Sequence, residues 1–145
     1  MLNIIFFTIL FIISYQDFKK KKINNFFIVL ILLLGVLSAV FQEVCEVPGR
    51  IAGFFCISIP MFFISYIKSG VLGGGDIKLM AVCGFYLGAE RIAMAAALSV
   101  FLAAAFCIVF IIMKKVDKKT AIPLAPFLSM GMFVVTFWEP ASLLF

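Results

Sequence analysis

The chain has 145 residues, of which 66% are apolar and 13% charged, with a mean hydropathy of +1.26. Soluble domains run about 45–50% apolar and about 25% charged, so too few polar side chains are present to cover a globule of this size and most of its surface must face lipid. The net charge of +5 therefore does not announce a free nucleic-acid-binding domain, and a disordered tail or a collagen-like chain is excluded on the same grounds.

In chain order, residues 1–16 form the first apolar run, closed by Asp17 and Lys19 to Lys22. The positive charge follows this run and no small-residue cleavage site is evident, so it reads as a retained span and not as a cleavable signal peptide. A second run covers 23–41, and a loop with Glu43, Glu46, Pro48, Gly49 and Arg50 leads to a third at 51–67, interrupted by Pro60. Lys68, the glycines 73–75, Asp76 and Lys78 precede a short fourth run at about 77–89, with Gly84 and Gly88 inside it and Glu90 and Arg91 after it. The fifth run, 92–113, ends at Lys114, Lys115, Lys118 and Lys119, and the sixth, 121–138, starts through Pro123 and Pro126. A bilayer core of about 30 Å needs about 17–25 helical residues. The expected fold is thus all-α: one polytopic domain, residues 1–145, with about six transmembrane helices.

All ten Lys fall in the first, third and fifth connections, whereas the second and fourth hold no Lys. By the positive-inside rule the odd loops are cytoplasmic and both termini lie outside. The lysines also attract anionic headgroups, which makes membrane lipid an expected partner and nucleic acid not one. The chain has no His, and Cys45, Cys56, Cys83 and Cys107 fit no metal-ligand spacing. No metal or cofactor is expected, and a His-based triad is excluded.

Five of the seven acids are explained by loops or span ends; Asp17 and Asp76 are not. The first span leaves the cytoplasmic side at Asp17 and the fourth enters from it at Asp76, which puts both carboxylates at one membrane level. Acids kept so near a span carry a desolvation cost and need a reason. Two neighbouring carboxylates share a proton, and such a pair can activate water while polarising a carbonyl, the chemistry of an aspartic protease. Gly73, Gly74 and Gly75 permit close approach of another chain and an extended segment that could hold a substrate by its main chain. The plainer reading is a turn that starts a helix with Asp76 as its cap, and an interfacial acid beside lysines at Asp17.

The segment GGGDIKL resembles the GxGD motif, with its following Lys, of the type IV prepilin peptidases. Asp17 with the following FKKKKINN is similar to that family's first motif, an Asp separated by five residues from Ile-Pro-Asn: Ile23 and Asn25 match, and Asn24 stands where Pro is usual. IPLAPFLSMG at 122–131 resembles the family's Ile-Pro-Phe-Gly-Pro-Phe-Leu segment. The resemblance implies a multi-pass enzyme of the cell membrane that cuts the basic leader from prepilins or pseudopilins at the cytoplasmic face, with Asp17 and Asp76 catalytic. It implies that Gly73, Gly74, Gly75, Lys78, Ile23, Asn25, Pro123 and Pro126 bind substrate or shape the site. Long members carry paired CxxC motifs in a cytoplasmic segment after the first span and N-methylate the product. The first loop here is short and has no CxxC, so the chain looks more like the peptidase-only members of tight-adherence systems and the archaeal preflagellin peptidases. A small proton-coupled transporter using the acids as relays, or a non-catalytic scaffold, are the competing readings, and oligomeric state stays open.

Overall fold

A computed structural model describes residues 2–20, 23–41, 47–67, 73–112 and 124–138. Its elements are α1 (Leu2–Lys20), α2 (Asn25–Phe41), α3 (Val47–Cys56), α4 (Ser58–Ile67), α5 (Gly74–Leu87), α6 (Ala89–Ile112) and α7 (Ala125–Trp138), with no strand among the described residues. Helices therefore stand at every apolar run that the sequence marks. Three stretches are long and apolar enough to cross a membrane: Leu2–Lys20, Val47–Ile67 and Ala89–Val109. The helices α2 and α7 are shorter apolar helices.

Proline explains two irregularities. The third run is split at Ile57 into α3 and α4, because Pro60 has no N–H to donate and its ring collides with the carbonyl four residues back, that of Cys56. The N–H of Met61 restarts the pattern on the Ile57 carbonyl at 3.1 Å, and the Ser58 hydroxyl turns back to the carbonyl of Phe54. The last helix starts only at Ala125, with Pro126 as its second residue, where a missing N–H costs nothing. Pro123 lies outside the described residues, as do Lys21, Lys22, Lys68 and the four lysines after α6.

The core runs between α5 and its neighbours. Helix α5 packs against α2, α3, α4 and α6, while α1 packs against α2 and α7, and α6 against α7. Phe6, Ile9, Leu10 and Ile13 form the buried stripe of α1, and Leu79, Met80, Val82 and Cys83 that of α5. Phe6 stacks on Tyr86, ring centroids 4.2 Å apart, which ties α1 to the far end of α5. The outward faces remain apolar: Phe11 is 75% exposed and Phe101 71%. Such faces are stable only against lipid.

One expectation changes. Arg50, which the sequence places in an exposed loop, is inside α3 and 1% exposed. Its guanidinium donates to the Ser38 hydroxyl at 2.7 Å, the Ser38 carbonyl at 3.3 Å and the Tyr86 carbonyl at 3.4 Å. Both carbonyls belong to the last turns of their helices, where acceptors lack intrahelical partners and a cation is favoured. Of the three cysteines within the apolar runs, Cys83 is buried, Cys107 half-buried and Cys56 exposed; Cys45 lies outside the described residues.

Candidate active site

Asp17 continues the buried stripe of α1, four residues after Ile13, and is 6% exposed. Its Oδ2 accepts a hydrogen bond from the main-chain N–H of Ala125 at 3.2 Å. The first N–H groups of a helix have no partner within it. The residue before α7 is Leu124, which has no side-chain acceptor, and its carbonyl takes the N–H groups of Phe127 and Leu128 at 3.1 Å each. Asp17 thus supplies from α1 the cap that α7 lacks, and the helix in turn holds one oxygen of the carboxylate.

Asp76 sits at the third position of α5 and is partly exposed. Its N–H donates to the Gly73 carbonyl at 3.0 Å. Of its carboxylate, Oδ1 is buried with no hydrogen-bond partner among the described residues. Oδ2 lies over Gly73, where a Cβ would stand 3.1 Å from it. The end of α1 meets the start of α7 through the bond from Ala125 to Asp17, and Asp17 is close enough for its charge to act at Asp76.

The glycine segment is less extended than the sequence suggests. Only Gly73 is extended, at φ −68° and ψ 134°, and serves as the residue before the helix; Gly74 and Gly75 are already in its first turn. Asp76 is consequently not the cap of α5. Space, not backbone strain, accounts for glycine here. A Cβ on Gly75 would come within 3.1 Å of Ile23 Cβ, so the Ile of the first motif packs on the second Gly of GxGD.

Asn24 caps α2: its Oδ1 accepts the Phe26 N–H at 3.2 Å and its carbonyl the Phe27 N–H at 3.1 Å. That role explains why Asn suits a position where Pro is usual, since both start helices well. Asn25 is exposed at the first position of α2. Lys78 is exposed, and the continuous helix from Gly74 turns it about 200° away from Asp76, so the two side chains diverge. Pro126 lies partly buried in the first turn of α7 beside Ala125. The structure therefore gathers Asp17, Asp76, Gly73, Gly75 and Ile23, adds the Ala125 N–H, and leaves Lys78 and Asn25 facing out. Ala125 offers no chemically telling side chain, and only its place between two prolines hinted at an open helix start. Among the described residues no three Cys, Asp or Glu gather where they could hold a metal ion.

A model of the type IV leader peptidase family matches residues 4–113. This chain belongs to that family. The match takes in both acid motifs of this leader peptidase family member, while the proline segment lies beyond it. A prepilin leader peptidase/N-methyltransferase of Bacillus subtilis (strain 168) is 30% identical over 132 residues, which cover 88% of this chain and 52% of the relative. The chain spans about half the length of that relative. No solved structure matches.

Proposed function

We propose that this protein is a membrane aspartic endopeptidase that removes the basic leader of a prepilin-like protein at the cytoplasmic face of the cell membrane. The reading is supported above all by the placement of two acids, 59 positions apart in the chain, near enough for the charge of one to act on the other. One of them is held by a helix start and the other keeps a buried, open oxygen.

With one proton between them, the ionised carboxylate takes a proton from water as its oxygen attacks the scissile carbonyl carbon, and the protonated partner donates to the carbonyl oxygen. Collapse of the tetrahedral species breaks the C–N bond, and the nitrogen leaves with a proton returned by a carboxyl group. The Ala125 N–H keeps Asp17 in place throughout. Lys19 and Lys20 stand at the end of α1 next to Asp17, which supports a cytoplasmic setting for the acids and external chain termini. A leader held at that face by its own charge meets the acids at their level.

The test is co-expression with a prepilin-like protein that has a basic leader ending in Gly before an apolar helix, with leader removal followed on a gel. Asp17→Asn and Asp76→Asn should each abolish cleavage at undiminished expression. Cleavage that survives both changes would sink the reading, and ion flux lost in the same variants without proteolysis would replace it with a proton relay.

A further inference from the structure

Helices α1 and α7 leave between them a groove of about 850 Å³. One wall carries Phe7, Leu10 and Ser14, the other Pro126, Met130, Phe133 and Phe137. Steps of three and four residues keep each set on one helix face. Asp17 is the next position of the α1 stripe, three residues after Ser14. The α7 stripe begins at Pro126, immediately after the residue whose N–H holds Asp17. The end of the groove at Ser14 and Pro126 is therefore within one helical turn of Asp17 on one wall and next to its hydrogen-bond donor on the other.

The groove is apolar along its length. The hydroxyls of Thr8 and Ser129 in its walls are turned back onto the carbonyls of Ile4 and Pro126, at 2.8 and 2.9 Å. Its rim is open to the membrane, with Met130 60% exposed. From Ile4 to Ser14 the groove follows α1 for about 15 Å, close to three helical turns.

We infer that this groove seats the apolar helix that follows the scissile bond of the substrate and delivers its leading end to Asp17 and Asp76. The inference rests on the peptidase reading above. A helix laid in a groove presents side chains at i, i+3, i+4 and i+7 to two ridges, which is the pattern of these walls. The position of the acids favours a peptide over an acyl chain. A helix in lipid satisfies its own main chain, and the residues to be cut must leave that helix and find other polar partners. The groove's end at Ser14 and Pro126 lies beside Asp17 and the first turn of α7, where such partners are available, whereas an acyl chain gains nothing from ending near a carboxylate.

The experiment places the photo-reactive residue benzoyl-phenylalanine at position 130, or at the lipid-facing position 101 of α6, in the Asp17→Asn chain. The probes are a labelled prepilin-like protein and a peptide with the same leader and cut site but no apolar helix. Cross-linking to the substrate helix should be at least tenfold stronger from 130 than from 101. In the otherwise unaltered chain, Met130→Trp should lower the preference for the helix-bearing substrate over the short peptide by about tenfold, and Phe101→Trp should leave it unchanged. Equal cross-linking from both positions, capture of lipid or a second copy alone at 130, or an unaltered preference in Met130→Trp overturns the inference. Cleavage of the short peptide by the unaltered chain tests the peptidase reading separately: failure to cut either probe overturns that reading and this one with it.

Discussion

Asp17 is bonded to a main-chain donor 108 residues away, so substitution of side chains around the site would pass over it. Proline at the first position of a helix removes one N–H without disturbing the helix, and Ala125→Pro deletes this donor selectively. A hydrogen bond to a charged group contributes about 1.5–3 kcal/mol, so leader cleavage should fall about 10- to 100-fold. Ala125→Val, which keeps the donor, should retain far more activity in the same gel assay. The three glycines separate in the same way. A Cβ meets nothing within 4 Å at Gly74 but crowds Asp76 Oδ2 at Gly73 and Ile23 at Gly75. Gly74→Ala should therefore fold and cleave close to the parent level, and Gly73→Ala and Gly75→Ala should each lose cleavage by at least about tenfold, the effect of roughly 1.4 kcal/mol. Equal losses at all three positions would mean that main-chain flexibility, and not space, is what the motif needs.

At the scale of elements, helix placement was largely legible because apolar runs between lysine clusters have few other uses in a chain of this composition. The expected common level of Asp17 and Asp76 followed from counting spans, and Asp17 does lie near enough to Asp76 for its charge to act there. What could not be read were features that depend on a partner helix. Arg50 looks like any loop cation until α2 and α5 end beside it, and Gly53 and Gly84 look like weak points in their helices. They are the contact point of α3 and α5: a Cβ on Gly53 would overlap the Gly84 carbonyl and stand 2.8 Å from the Gly88 carbonyl carbon, and one on Gly84 would overlap the Gly53 carbonyl. Gly88 joins α5 to α6 at φ 87°, a conformation that favours glycine. Because the obstructing atoms are main chain, Gly53→Val has no side chain to displace. It should cost about 3 kcal/mol, the upper part of the range for overpacking, read as a lower thermal midpoint in detergent by circular dichroism. Arg50→Leu leaves the Ser38 and Tyr86 carbonyls without their cation and should cost at least about 2 kcal/mol by the same measurement. Cleavage by whatever folded protein remains should be preserved, because Arg50 lies at the end of the bundle away from the acids.

For the molecule as a whole, the 52% coverage of the Bacillus subtilis relative matters, because that protein's name joins peptidase to N-methyltransferase. Methyl transfer to a freed amine needs a second site able to bind a methyl donor, and a water-soluble, charged donor needs polar groups to line it. This chain has 19 charged residues, and most are lysines between apolar runs. The α1–α7 groove is lined almost wholly by apolar side chains. Paired CxxC motifs, which accompany methylation in the long members that the chain resembles, are missing from a first loop only a few residues long. The proposed peptidase chemistry, by contrast, asks only for water, two carboxylates and a way to present the bond. The mature product released by this chain should therefore carry a free, unmethylated amino terminus. Mass spectrometry of the processed protein, made in a host without another methyltransferase of this kind, checks it: the mass of one added methyl group on the new terminus would place a second active site within these 145 residues.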